Sequence, residues 1–256
     1  MKIARFVEAG QPRLGIVEDG VVYRAEGDLF DPGALRRGDA VGPLEELELL
    51  TPVQPGKIVA VGLNYALHVT ENDPTRQVPD EPVLFMKPTS ALLPHGGVIL
   101  LPPGDRIDYE AELCIVIGRR ASRVPESQAL DYVLGYTCGN DVSHRDYQRK
   151  DGQWVRAKGF DTFCPLGPVI ATDLDPNDLA IQSRLNGEVR QNSRTSNMIF
   201  SPAFLVSFIS NVMTLEPGDV IMTGTPEGVG PMMPGDTIEV EIEGIGTLRN
   251  TTRARD

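Results

Sequence analysis

The chain has 256 residues, 23 % charged and 41 % hydrophobic, ordinary for a globular protein that buries a sizeable core in one large domain or a large and a small one. Its net charge of −12 argues against a nucleic-acid or anionic-membrane partner, since both demand a basic footprint. No apolar run approaches the ~18 residues of a membrane span, Met1-Lys2-Ile3-Ala4-Arg5 opens without a signal-peptide pattern, and the expected compartment is the cytoplasm.

Residues 1–52 read as a small β-rich domain, with strands around Lys2–Val7, Arg13–Glu18 and Val21–Arg24 and a turn at Asp19-Gly20. Pro52-Val53-Gln54-Pro55-Gly56 breaks regular structure and serves as a linker to a larger domain over 57–256. Lys57–Gly62 is a buried strand, and Tyr65 to Asn72 fits one or two helical turns that carry His68 and Glu71 on one face. Pro74, Pro79 and Pro82 then make an irregular stretch suited to a movable lid. Strands follow at Val83–Lys87 and Gly97–Leu101.

The run from Ile107 to Ile117 places Glu110 and Glu112 in an otherwise apolar strand. Strand side chains alternate, so the two carboxylates share a face with Cα atoms roughly 6.5 to 7 Å apart. On most amphipathic strands such a pair is the solvent face. Here Cys114 and Val116 continue that face while Ala111, Leu113, Ile115 and Ile117 line the other, so both faces read as buried. Two buried like charges are tolerable only with a cation between them or a proton on one. Asp141, after a second apolar stretch, completes a possible trio. Three carboxylates without Cys or His suit a hard cation, Mg²⁺ or Mn²⁺, with Ca²⁺ as a substitute.

A helix is expected from Pro125 to Leu134, closed by Gly135. Arg145 and Gln148 lie three apart on a short helix and share a face. Asn186-Gly187 signals a hairpin, Ser201-Pro202 caps a buried helix, and the C-terminal third is short strands joined by tight turns. Cys114, Cys138 and Cys164 show no disulfide or zinc spacing and read as small buried hydrophobes. Gly224 to Gly230 lacks the Lys-Ser/Thr ending of a phosphate cradle. It reads instead as a tight loop whose backbone N–H groups face a substrate carboxylate, with Thr225 donating a hydroxyl. The fold class is mixed and mostly β with few helices, a roll or sandwich of antiparallel strands rather than a doubly wound parallel sheet.

Several blocks in order resemble the fumarylacetoacetate hydrolase family: Val61-Gly62-Leu63-Asn64-Tyr65 with His68 and Glu71, Leu84-Phe85-Met86-Lys87-Pro88, Asp108-Tyr109-Glu110-Ala111-Glu112-Leu113, Asn140-Asp141-Val142-Ser143, Lys158-Gly159-Phe160-Asp161-Thr162 and Thr223-Gly224-Thr225-Pro226. The similarity spans about residues 57–250. It implies a β-roll, usually a homodimer, with a divalent metal, commonly Mg²⁺, and activity on 2-oxo acids and their enols. By position, Glu110, Glu112 and Asp141 would hold the metal. Lys158, Arg145, Gln148 and Thr225, with Gly224 beside it, would line the substrate site, and His68 with Glu71 would sit on the lid.

Lys158 is then expected to stabilise an enolate or shuttle a proton, and otherwise to be a surface charge. Arg145 with Gln148 would fix a substrate carboxylate, or else Arg145 pairs with Asp146 or Glu188. His68 oriented by Glu71 could activate water for C–C cleavage or move a proton at carbon. The expected function is a metal-dependent isomerase or decarboxylase of a 2-hydroxyhepta-2,4-diene-1,7-dioate-like small molecule in aromatic degradation. The alternatives are an acylpyruvate hydrolase of the fumarylpyruvate type, an oxaloacetate decarboxylase, and a non-catalytic metal-binding relative.

Overall fold

The structure, a computed structural model, describes residues 1–71, 73–104 and 106–255. The chain begins with strands β1 (Lys2–Glu8), β2 (Gln11–Glu18), β3 (Val21–Glu26) and β4 (Arg36–Pro43), then β5 (Ile58–Gly62), helix α1 (Ala66–Thr70), β6 (Val83–Lys87), β7 (Leu92–Leu93), β8 (Val98–Leu101), β9 (Ile107–Tyr109) and β10 (Ala111–Ile117). There follow β11 (Val133–Asn140), β12 (Ser143–His144), helices α2 (Arg145–Asp151) and α3 (Val155–Lys158), β13 (Cys164–Ala171), β14 (Ala180–Leu185) and β15 (Glu188–Arg194). Helix α4 (Pro202–Val212) and strands β16 (Val220–Met222), β17 (Gly230–Pro231), β18 (Thr237–Ile242) and β19 (Gly246–Ala254) complete it. The protein is mostly β, and its strand pairs are mainly antiparallel; β16 with β5, β13 with β7 and β19 with β8 are parallel.

An 11-stranded sheet runs in the order β4-β3-β2-β1-β13-β11-β10-β16-β5-β6, with β7 joined to β13. The first four strands therefore belong to the same sheet as the carboxylate strand, through the pairing of Lys2 and Ile3 with Ala171 and Ile170. A second, 5-stranded sheet has the order β15-β14-β18-β19-β8. Its Ile181, Val240, Ile242 and Leu248 join Leu113, Ile115 and Ile117 of β10 in one core, together with Leu205, Val206 and Ile209 of α4. The opposite face of β10 puts Cys114 and Val116 into a second core with Ile58, Met222 and Ile170. The two-sided burial expected for this strand is thus present, and any carboxylate on it is enclosed by apolar layers.

Local chemistry explains the junctions. Asn186 and Gly187 take φ of 53° and 82° between β14 and β15, as a two-residue hairpin turn requires. Ser201 Oγ accepts the Phe204 N–H at 3.2 Å, with Pro202 at the first position of α4, which satisfies one of the helix's unpaired donors.

Two expectations need correction. The helix expected to end at Leu134-Gly135 is a 3₁₀ segment, Glu126–Tyr132, and Leu134 and Gly135 already belong to β11. Gly135 is needed there for close approach: a Cβ would stand 2.4 Å from the Ala171 carbonyl oxygen of the neighbouring strand. The run from Ile107 to Ile117 is not one strand, because pairing is interrupted at Glu110, whose N–H donates to Asn140 Oδ1 at 2.9 Å. The short helix expected up to Asn72 is α1; Asn72 itself lies outside the described residues. Among the described residues no helix is long and apolar enough to cross a membrane.

Candidate functional site

The hairpin-like pairing of β10 with β11 assembles the site. Ala111 stands opposite Asn140 and Glu112 opposite Gly139, so the residues just beyond the last pair, Glu110 and Asp141, meet across the ladder, where the Asp141 N–H donates to the Glu110 carbonyl at 2.9 Å. Glu110, Glu112 and Asp141 are all buried, and one oxygen from each lies within 4.8 Å of the others. The trio drawn from the sequence is therefore brought together by register, with Glu110 and Asp141 facing each other at the end of the ladder.

Cations crowd this cluster. Lys158, at the end of α3 and only 2 % exposed, places Nζ at 2.7 Å from Glu110 Oε2 and 2.6 Å from Asp141 Oδ2. Phe85 covers the ammonium, its ring centroid 5.1 Å away. Lys87, the last residue of β6 and equally enclosed, donates to the other Asp141 oxygen, Oδ1, and to the Val142 carbonyl. Arg145 Nη2 stands 2.6 Å from Glu110 Oε1 as an ion pair, its Nε donates to Asp108 Oδ2 at 2.8 Å, and its Nη1 donates to Gln148 Oε1 at 2.8 Å. Lys158 is accordingly no surface charge. Arg145 pairs with Asp108 and Glu110, not with the expected Asp146 or Glu188.

Electrostatics divides the two glutamates. Burial alone would raise the Glu110 carboxyl, but the charges of Lys158 and Arg145 outweigh it and hold Glu110 well below the usual carboxylate range. Among the described residues no cation is in hydrogen-bond or ion-pair contact with Glu112. Burial, reinforced by the negative charges of Asp141 and Glu110, pushes it well above the usual range. Its Oε2 accepts the Gly224 N–H at 2.8 Å. For Lys158, burial works against the charged form, and Asp141 with Glu110 reverses that and raises it. The cluster is thus short of positive charge beside Glu112. An all-oxygen, buried, convergent donor set with that deficit fits a hard dication, which Glu110, Glu112 and Asp141 would hold.

The Gly224–Gly230 loop does not present free N–H groups throughout, as the sequence suggested. Gly224 has φ +97° and no room for a side chain, since a Cβ would lie 2.7 Å from Asn64 Cβ; its N–H is spent on Glu112. The Gly228 N–H donates to Glu71 Oε1 at 2.8 Å. Thr225 is buried, and its Oγ1 accepts from Gln191 Nε2 at 2.7 Å.

His68 and Glu71, on and just after α1, form the expected pair, Nδ1 to Oε2 at 2.9 Å. Burial favours the protonated Glu71, but the His68 contact and the Gly228 N–H outweigh it and lower its pKa. His68 lines a cavity of about 450 Å³ together with Arg76, Arg106, Arg145, Gln148 and Arg149. Arg145 is common to the cavity wall and the carboxylate cluster. The other histidines serve elsewhere: His144 packs against Tyr147 and Phe160, and His95 Nδ1 accepts the Arg249 N–H. A larger hollow of about 1000 Å³, bounded by Lys2, Leu44, His95 and Ile245, contains none of the candidate groups.

Sequence reasoning overlooked Lys87, Asp108, Asn140 and Gln191. Lys87 and Asp108 stood in plain view as charges inside apolar strands, the same signal that exposed Glu110 and Glu112. Asn140 and Gln191 act through neutral hydrogen bonds and leave no comparable pattern.

The family described as fumarylacetoacetate (FAA) hydrolase C-terminal matches residues 57–253, and the one described as Rv2993c-like, N-terminal, matches residues 1–52. An uncharacterized protein of Archaeoglobus fulgidus is 59% identical over 238 residues, 92% of this chain and 93% of that one. A mitochondrial oxaloacetate tautomerase of Bos taurus is 39% identical over 262 residues, 97% of this chain and 78% of that one. The crystal structure of a 5-carboxymethyl-2-hydroxymuconate delta-isomerase from Mycobacterium smegmatis superposes with a TM-score of 0.91 at 47% identity, covering 100% of both chains.

Proposed function

The chain belongs to the fumarylacetoacetate hydrolase family, a family of isomerases, hydrolases and tautomerases, and from that premise we propose that it is a divalent-metal-dependent isomerase. Its substrate in this reading is a 2-oxo acid or its enol with a second carboxylate, a 2-hydroxyhepta-2,4-diene-1,7-dioate or a shorter oxo-diacid. The observation that carries the reading is the buried trio Glu110, Glu112 and Asp141 with the Lys158 ammonium touching two of its members. The isomerase and tautomerase among its relatives act on such compounds by their names.

A hard dication held there would supply a Lewis acid for the oxygen that gains charge on enolisation. The chain's own residues do the rest. Lys158, kept protonated by Glu110 and Asp141, holds a proton at Nζ in a site closed to bulk water, ready to stabilise a developing oxyanion or to pass that proton on. Arg145 is paired with Asp108 and Glu110 and hydrogen-bonded to Gln148, so it steadies the Glu110 carboxylate, and with Gln148 it stands in the cavity wall where the pair would meet a substrate carboxylate. Arg76, Arg106 and Arg149 line that cavity beside Asp73, Arg106 and Arg149 being paired with Asp108 and Asp146, and these guanidinium groups would favour an anionic substrate.

The His68–Glu71 pair favours a second reading, hydrolysis of an acylpyruvate, because a histidine oriented by a carboxylate can take a proton from water. Products separate the two. Offered 2-hydroxyhepta-2,4-diene-1,7-dioate, oxaloacetate and acetylpyruvate with Mg²⁺ or with a chelator, the protein should shift double bonds or interconvert keto and enol forms only with the metal. Acetate released from acetylpyruvate would make it a hydrolase, and turnover unaffected by chelator would refute the metal.

A further inference from the structure

Gln191, in β15, is fully buried and touches three parts of the site at once. Its Oε1 accepts the N–H of Ala111, the residue between Glu110 and Glu112, at 3.0 Å. Its Nε2 donates to the Pro226 carbonyl at 2.8 Å and to Thr225 Oγ1 at 2.7 Å. These partners fix the amide without ambiguity: a backbone N–H requires the oxygen on one side, and a carbonyl requires the nitrogen on the other. Thr225 must therefore accept from Gln191, which leaves the hydroxyl proton of Thr225 free to be given away. Among the described residues no acceptor takes it. The preceding residue, Gly224, binds Glu112 through its N–H, so the same loop meets the carboxylate cluster and carries the outgoing hydroxyl.

We infer that Gln191 is a positioning residue: it fixes Thr225 as a donor to an oxygen of a bound 2-oxo acid and ties that donor to the strand bearing Glu110 and Glu112. The inference rests on the substrate class proposed above. An amide in this place occupies one lone pair of the hydroxyl and keeps its proton from turning back toward Gln191, which a merely space-filling side chain would not do. Ser183 Oγ accepts the Gln191 N–H at 3.2 Å, anchoring the backbone from which the amide reaches.

The test uses Mn²⁺-loaded full-length protein and oxalate, a planar dianion with two vicinal oxygens like those of an enolised 2-oxo acid. Calorimetry of Thr225→Val and Gln191→Met should show oxalate bound about 10- to 100-fold more weakly in each. The double variant should be no worse than about the weaker single one, since both remove one donor. Mn²⁺ affinity should stay within about threefold, and Thr225→Ser should restore oxalate binding. Additive losses, or Mn²⁺ binding lost together with oxalate in Gln191→Met, would overturn the inference. Should Gln191→Met not fold, Gln191→Glu keeps the acceptor for Ala111 but takes the Thr225 proton for itself. Wild-type oxalate affinity in that variant also overturns it, as does wild-type protein that binds no oxalate. Oxalate bound with the predicted losses but no turnover of any oxo acid would instead refute the proposed reaction and leave the Gln191–Thr225 coupling standing.

Discussion

Two acid-bearing regions of this protein differ in almost every physical respect. Glu112 sits on β10, with Glu110 and Asp141 at the end of the β10–β11 ladder, and both oxygens of Asp141 and both of Glu110 are met by cations. Glu71 lies just beyond a five-residue helix at the margin of the fold, exposed, with a histidine and a backbone N–H as its hydrogen-bond partners. The first region is fixed by register and buried charge; the second is held by a few contacts that can be remade. That division assigns cation binding and charge stabilisation to the interior and proton exchange or closure to the edge.

The strongest challenge to the comparison is Asp141→Ala, which strips Lys87 and Lys158 of the carboxylate they share. Leaving the buried Lys87 ammonium without a carboxylate, and Lys158 with Glu110 alone, should cost about 3–5 kcal/mol, read from denaturant unfolding, and should also abolish Mn²⁺ binding. A variant as stable as wild type would show that the cluster does not depend on charge pairing. Proton competition comes next. Because burial and its acidic neighbours raise Glu112, the metal-free site holds a proton there below that raised value and must release it on binding. Mn²⁺ affinity should thus climb by up to about tenfold per pH unit below it, and a flat profile from pH 5 to 8 would contradict the assigned electrostatics. Lys158→Met should lower turnover by more than about tenfold while Mn²⁺ remains bound; unchanged turnover removes Lys158 from the chemistry. Smallest in stability is His68→Ala, expected to change unfolding free energy by less than about 1 kcal/mol, since the His68–Glu71 pair reaches solvent. It should leave Mn²⁺ affinity intact and alter only the reaction, and a loss of metal binding would erase the distinction between the regions.

What was legible in the sequence follows the same line. Charges inside apolar strands announce themselves, so Glu110, Glu112 and Asp141 could be read out, and alternation correctly divided Leu113 and Ile115 from Cys114 and Val116. Turn chemistry at Asn186-Gly187 and capping at Ser201-Pro202 were equally local and equally readable. The 3₁₀ segment before Val133 was misjudged because Gly135, taken for a helix stop, answers to a neighbouring strand some 35 residues downstream, at Ala171. Partners across long sequence separations were invisible: nothing in the chain connects Lys87 to Asp141, or Gln191 to Ala111 and Thr225, until the sheets are assembled.

The acidic trio as a cation site is tested most directly by titration of MnCl₂ into wild-type protein and Glu112→Gln. One ion per chain is expected to bind wild type, and the amide, which keeps the shape but removes the one carboxylate without a cation in contact, should weaken it by at least about a hundredfold. Equal affinity in the two proteins, or no saturable binding to wild type, would contradict it.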